Sequence, residues 1–224
     1  MAEPHVIRVF LIDDHAVVRA GFRQLLATAQ DVEVVGEAES TEAAARQLRE
    51  VNPQVLLLDI SLPGGISGIE AIARFRRLVP EMHIVMLSMH EAAPFPEMAL
   101  EQGASGYLSK HCAAEELLTA VREVTAGRKY LSSAIAQRIA LSRMEGDRSG
   151  LRSLSQREFE VFEHLATGLS VKEIAELLHL SPKTVHVHRS NLMHKLDAHN
   201  ATELVAIAIR EGVLDLAKVP PTQT

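Results

Sequence analysis

Four apolar, β-branched runs in the first half of the chain each end at a polar side chain with chemistry to offer, and that repeat restricts the possible folds severely. Val6 to Ile12 runs into Asp13-Asp14, Val55 to Leu58 into Asp59, Ile84 to Leu87 into Ser88, and Gly106-Tyr107-Leu108 into Ser109-Lys110. Val32 to Ala38 is a fifth run without a polar terminus. Ala16 to Ala29, Thr41 to Val51, Gly68 to Leu78, Pro96 to Gln102 and Glu115 to Ala126 lie between them, with apolar residues at helical spacing. Strands alternating with helices predict an α/β fold, a doubly wound five-stranded parallel sheet of the flavodoxin-like type. Such a sheet collects the C-terminal ends of its strands into one crevice. Three carboxylates, a hydroxyl and an ammonium are thereby expected to share a small site.

Two unit charges about 4 Å apart repel by roughly 4 kcal/mol at an effective dielectric near 20, so three ionised acids need a counter-charge. A divalent cation supplies it, and an all-oxygen donor set suits Mg2+. Asp59 is then the expected nucleophile toward phosphorus, forming an aspartyl-phosphate. Asp14 is expected to hold the metal directly, Asp13 through water, with the backbone carbonyl of Ser61 completing the set. Lys110 would meet one phosphoryl oxygen and Ser88 donate to another. Taken singly, these residues have plainer roles. Asp13 or Asp14 would cap the helix that starts near Ala16, Ser88 would be a turn hydroxyl and Lys110 a solvated charge.

Together they carry a resemblance. Leu11-Ile12-Asp13-Asp14-His15, Leu57-Leu58-Asp59, Leu62-Pro63-Gly64, Leu87-Ser88 and Gly106-Tyr107-Leu108-Ser109-Lys110 make residues 5–127 similar to the receiver domain of a two-component response regulator. The resemblance implies that Asp59 accepts a phosphoryl group from a phosphohistidine on a sensor histidine kinase or phosphotransfer domain. It makes Tyr107 the switch aromatic, which turns inward as Ser88 moves toward the phosphoryl group. Viewed simply as a strand aromatic, Tyr107 is expected to be half-buried. The stretch Asp59 to Gly68 is one residue longer than the usual family loop, and His111 follows Lys110 where most receivers have proline.

From Leu154 onward the strand pattern disappears. Gln156 to Thr167, Val171 to Leu178, Lys183 to Leu196 and Thr202 to Arg210 read as four helices at short intervals, an all-α helix-turn-helix unit over residues 151–216. Ser181-Pro182 suits an N-cap followed by the first helical position. Val185, Leu192 and Leu196 form the expected core face of the third helix, packed on Ile174, Leu177 and Leu178 of the second, with Ala175 permitting close approach. At about 100° per residue, Lys183, Val187, Ser190 and His194 face away, flanked by His186 and Asn191. A valine among polar groups suits a thymine methyl, and the second helix of such a pair is the one that enters the major groove.

Leu154-Ser155-Gln156-Arg157-Glu158, Gly168 to Ala175, Ser181 to Val185, His188 to Asn191 and Lys195-Leu196 are similar throughout to the LuxR-type DNA-binding domain. Receiver plus LuxR-type helix-turn-helix is the NarL/FixJ architecture, and the resemblance covers nearly the whole chain. Within that family, Glu91 to Pro96 and the Gly106 to Lys110 context look most like GacA/UvrY-type regulators. The resemblance assigns phosphate contacts of promoter DNA to Lys172, Lys183, Thr184 and Arg189, and base contacts to His186, Val187 and Ser190.

Charge qualifies this. Residues 151–224 hold 8 Lys/Arg against 9 Asp/Glu, so the helical unit is nearly neutral and its positive charge is local: Lys183, Arg189 and Lys195. His186, His188 and His194 would add more at lower pH, and DNA binding is expected to strengthen toward pH 6. One cysteine, Cys112, excludes an internal disulfide and suits a reducing cytoplasm. No apolar run has the length of a membrane span, and Met1-Ala2-Glu3-Pro4 lacks the features of a signal peptide. Residues 128–150 read as a helical linker, through Ile135, Ile139 and Leu141, and then a flexible tether. The last helix is apolar around most of its circumference, so Leu204, Val205, Ala208 and Ile209 are the expected surface of a homodimer in the active state.

The expected mechanism is control of DNA binding by phosphorylation. The resemblance implies that the unmodified receiver covers the recognition helix or prevents dimerisation. Catalysis is then confined to the chain's own phosphoryl transfer and autodephosphorylation. The competing reading is a phosphorylation-independent or ligand-controlled LuxR-type regulator, which has no need for Asp13, Asp14, Asp59 and Lys110 together.

Overall fold

The structure, a computed structural model, describes residues 6–62, 68–89, 94–144, 150–211 and 213–214, with the side chains of 141–144 left aside. Met1 to Pro4, Pro63 and Gly64, Glu91 to Ala93, and positions 145–149 of the expected tether lie outside the described residues. The chain divides into two compact units, Met1–Met144 and Glu145–Thr224.

In the first unit, β1 (Ile7–Ile12), α1 (Ala16–Leu26), β2 (Val32–Ala38), α2 (Thr41–Val51), β3 (Val55–Asp59) and α3 (Gly68–Leu78) are followed by β4 (His83–Ser88), α4 (Phe95–Glu101), β5 (Gly106–Ser109), α5 (Ala114–Thr125), β6 (Tyr130–Leu131) and α6 (Ser133–Met144). The strands form one sheet in the order β2-β1-β3-β4-β5-β6, and every neighbouring pair is parallel. Residues of β3 are buried at every position, as expected for a central strand covered on both faces. Val9, Leu11, Leu57, Val85 and Leu108 pack with Phe22 and Leu26 of α1 and with Leu117, Val121 and Val124 of α5. Strand alternation sends the buried Phe10, Leu56, Leu58, Met86 and Tyr107 to the other face.

The sheet has six strands where the sequence predicts five. Tyr130 and Leu131, assigned from sequence to a helical linker, pair with Gly106 and Tyr107 of β5. Two residues are too few to display a period-two pattern, and the unpaired edge of β5 decides their conformation. Helical periodicity resumes at Ser133, with Ile135 and Ile139 buried. The grouping of contacts therefore carries the first unit to Met144, beyond the boundary at residue 127 read from sequence.

The second unit opens with a 3-10 turn, Gly150–Ser153, then α7 (Gln156–Ala166), α8 (Val171–Leu177), α9 (Pro182–Lys195) and α10 (Ala201–Arg210). Ser155 with Glu158 and Ser170 with Glu173 form capping boxes, each satisfying two otherwise orphaned helix-end donors. Ser181 caps α9 by accepting from the Thr184 N–H at 3.0 Å, with Pro182 in the first turn. Between α8 and α9 the chain turns at His179, whose φ is 54°. Leu151, Leu154, Phe159, Phe162, Ile174, Val185, Leu192, Leu204 and Ala208 form the core.

Two expectations fail here. Leu177, assigned to the packing seam, is 54% exposed, while Ile174 and Ala175 of the same helix are buried. Leu204 and Ala208, assigned to a dimer surface, are buried within the unit where α10 packs on α7. Four-residue spacing puts both on the inward stripe of the helix. Val205 is half-buried and Ile209 is 39% exposed.

Candidate functional site

Sheet register assembles the acidic pocket. Ile12 is paired with Leu58, so the next residues, Asp13 and Asp59, leave adjacent strands side by side. These strands, β1 and β3, flank the point where strand order reverses, the usual ligand crevice of an open parallel sheet. Ser88 pairs with Ser109, and the Lys110 N–H donates to the Ser88 carbonyl at 2.8 Å, which turns Lys110 toward the crevice. Gly68 lets α3 begin against the end of β3. A Cβ there would lie 2.2 Å from the Asp59 carbonyl oxygen.

The ammonium of Lys110 lies 2.7 Å from Asp13 Oδ2 and 2.8 Å from Asp59 Oδ2. Asp59 and Ser88 are fully buried and Asp13 nearly so, while Asp14 is half-buried at the mouth. The Ser61 N–H donates to Asp59 Oδ1 at 3.1 Å. Burial pushes the Asp59 carboxyl up to about 6 against the pull of Lys110, and the charge of Asp13 adds to the rise. For Lys110, burial works against the charge, but Asp59 and Asp13 outweigh it and hold the ammonium above its usual range. Tyr107 is fully buried within β5, deeper than the half-buried position expected of a strand aromatic.

The capping role considered for Asp13 and Asp14 is not the one they take. His15 is the N-cap of α1 and gives no side-chain cap; Asp13 Oδ1 instead accepts from the His15 N–H at 2.8 Å. Two participants escaped the sequence reading. His15 Nδ1 lies 2.7 Å from Asp14 Oδ1, and the Arg19 guanidinium donates to the Asp13 carbonyl at 2.6 Å. Adjacency to Asp14 was the only signal for His15, and Arg19 gave none.

Asp13, Asp14, His15 and Asp59 each bring one potential ligand atom within 4.8 Å of the others. Asp13 Oδ2, Asp14 Oδ1 and Asp59 Oδ2 are buried and accept no directed hydrogen bond. Lys110 and His15 approach these oxygens at 2.7–2.8 Å as ion pairs. Three buried carboxylate oxygens gathered within 4.8 Å fit a hard divalent cation.

On the second unit, Lys172, Lys183, His186 and Ser190 are exposed and Val187 is 53% exposed, while Thr184 and Arg189 are half-buried. The hydroxyl of Thr184 lies 2.7 Å from Ser181 Oγ, within the cap of α9. Lys195 departs from the expected basic surface: its ammonium donates to Glu158 of α7 at 2.6 Å. Burial lowers the pKa of half-buried His188, partly offset by Glu158. Among the described residues, no helix is long and apolar enough to cross a membrane.

Residues 9–122 match the family of response regulator receiver domains, and residues 152–208 match bacterial regulatory proteins of the luxR family. The chain is 41% identical over 210 residues to the response regulator UvrY of Escherichia coli K12, covering 93% of this chain and 96% of that one. It is 37% identical over 214 residues to the response regulator GacA of Pseudomonas aeruginosa, covering 95% and 100%. It is 46% identical over 199 residues to the transcriptional regulatory protein UhpA of E. coli K12, covering 89% and 96%. Among solved structures, RcsB of Salmonella enterica serovar Typhimurium bound to promoter rprA with the phosphomimetic BeF3- matches with a TM-score of 0.61 at 28% identity, covering 90% of this chain and 98% of that one. The acidic crevice of an open parallel sheet in the first unit, the capped helix pair of the second and these matches converge: the chain belongs to the NarL/FixJ-type two-component response regulators, a receiver joined to a LuxR-type DNA-binding domain.

Proposed function

We propose that Asp59 is the phosphoacceptor and that its modification governs promoter binding by α9. The contact that carries this reading is Lys110, whose ammonium bridges Asp13 and Asp59 inside a buried acidic pocket. An oxygen of Asp59 attacks the phosphorus of a phosphohistidine on a sensor histidine kinase or phosphotransfer domain. The P–N bond breaks, the imidazole leaves, and a mixed anhydride remains on Asp59. Asp13, Asp14, Asp59 and the backbone carbonyl of Ser61 would hold Mg2+, which when bound would neutralise charge on the phosphoryl oxygens. Lys110 then exchanges a carboxylate for a phosphoryl oxygen and Ser88 donates to another. Attack of water on the same phosphorus reverses the modification.

A phosphoryl group adds about −1.5 to −2 charge at this end of the sheet. Ser88 and Tyr107, on the neighbouring strands β4 and β5, transmit the change. Lys172, Lys183, Thr184 and Arg189 hold phosphates of double-stranded promoter DNA, while His186, Val187 and Ser190 approach base edges. Arg189, half-buried, reaches from the flank of α9. Val205 and Ile209 remain as the accessible part of a homodimer surface on α10. A solved relative is described as two RcsB dimers bound to two parallel DNAs. We place the protein in the cytoplasm, where kinase and promoter meet.

Incubation with acetyl phosphate and Mg2+, followed by intact-mass measurement, tests the central step. Wild type is expected to gain one phosphoryl group and Asp59→Asn none. An unmodified wild type would favour phosphorylation-independent regulation instead.

A further inference from the structure

Arg19 occupies a position that charge alone argues against. It stands near the start of α1, where the helix dipole favours anions, and beside a pocket whose acids suit a cation. Its side chain is nevertheless largely covered, 17% exposed, and donates to the carbonyl of Asp13 at 2.6 Å. Glu37, in the last turn of sequence before β2 ends at Ala38, offsets the charge. Its carboxylate lies 3.7 Å from Arg19 Nε and 3.3 Å from Nη1 of Arg23, one turn further along α1.

Asp13 is held at three points. Its N–H donates to the carbonyl of Ala38 at 3.2 Å, its Oδ1 accepts from the His15 N–H at 2.8 Å, and its carbonyl accepts from Arg19. Ala38 follows Glu37, so the Arg19 side chain and the Asp13 amide fasten one residue to one end of β2. The Asp13 carbonyl shares a rigid plane with the Asp14 N–H. Fixing that carbonyl therefore fixes the direction in which Asp14 leaves the chain. The His15 bond meanwhile leaves Asp13 Oδ2 to meet Lys110, 2.7 Å away. Without the Arg19 bond the plane gains freedom to rotate, and the two neighbouring carboxylates lose their common aim.

We propose that Arg19 is a positioning residue for the metal site: by holding the peptide between Asp13 and Asp14, it keeps both carboxylates converged on the cation. This role rests on the reading of the pocket as a Mg2+ site, and its effect is opposite in sign to simple electrostatics. Removing a nearby positive charge tightens the binding of a cation. Removing a group that orients metal ligands weakens it, typically by about 10–100-fold.

Mn2+, which suits the same oxygen donors, is the probe, because the electron paramagnetic resonance signal of the free ion falls as it binds. Titration of the whole chain needs no phosphoryl donor. Arg19→Gln is expected to weaken Mn2+ binding about tenfold, and Arg19→Lys to retain most of it. Arg23→Gln removes a charge from the same Glu37 without touching Asp13, and should leave binding unchanged or slightly tighter. Should Arg19→Gln fail to fold, Arg19→Met keeps the covered stem and loses the donors, with the same loss expected. Unchanged or tighter binding in Arg19→Gln or Arg19→Met would overturn the proposal, and a lower melting temperature in EDTA alone would then mark a purely structural contact. Equal weakening in Arg23→Gln, or no retention in Arg19→Lys, would overturn it too. Wild type that binds no Mn2+ would remove the metal site and this role with it. Wild type that binds Mn2+ yet gains no phosphoryl group from acetyl phosphate would fail the phosphoacceptor reading alone.

Discussion

Asp59 shows how one side chain can be set against the stability of its own fold. Its carboxyl, burial-raised from 3.8 to about 6, binds a proton more readily in the native state than in the unfolded chain. Stability is therefore greatest while the group is protonated, falls as pH rises from about 3.8 through 6, and stays lower above that. At 1.36 kcal/mol per pKa unit the ionised group costs up to about 3 kcal/mol without metal. Asp59→Asn is accordingly expected to unfold at higher urea concentration than wild type at pH 7.5, with the gap closing toward pH 5. Millimolar Mg2+ should also narrow it, by binding wild type more tightly than the variant. A variant less stable than wild type, or a difference independent of pH, would contradict this account. The identity of Asp59 was legible from its place after Val55 to Leu58. Its shifted acidity was not, because burial belongs to the sheet and its covering helices.

Elements carry these residues into register. Gly68 begins α3 directly against the end of β3, so a methyl group there must displace either the Asp59 carbonyl or the helix. Gly68→Ala is expected to destabilise the receiver by about 1–3 kcal/mol, the usual cost of overpacking. It should also slow phosphorylation by acetyl phosphate, as followed by intact mass. An unchanged rate together with an unchanged melting temperature would show that the loop absorbs the methyl group. Elements with several turns or five or more strand residues were readable from periodicity alone. Helix limits from sequence coincided with those observed for α2 and α3 and otherwise differed by at most three residues, and Ser155, Ser170 and Ser181 mark the starts of α7, α8 and α9 by their caps. Tyr130–Leu131 was not readable, since its strand conformation comes from the partner β5 rather than from its own side chains. In α10 the reverse held: apolar residues all round suggested a second face, yet packing on α7 consumes Leu204 and Ala208.

For the whole molecule, the balance of charge decides how DNA binding responds to solution conditions. The chain is acidic, with formal net charge −6, so on the proposed function attraction to DNA depends on a few groups on α8 and α9. Lys195 is committed to Glu158, and His188 is held neutral to lower pH by its burial. Binding measured by fluorescence anisotropy at constant salt is expected to strengthen from pH 8 to pH 6. His188→Gln should leave that response almost intact, since burial lowers the His188 pKa. Equal affinity at both pH values in wild type would contradict the proposal. The amino-acid sequence by itself determined the alternation of strands and helices, the polar terminus of each strand, and the capped helices of the second unit, because these follow from local periodicity and backbone capping. Only the tertiary structure decided that Lys110 spans Asp13 and Asp59 and that Lys195 is committed to Glu158. Each of those pairs joins residues far apart in the chain, and their electrostatic energies depend on distance and burial, which no local pattern records.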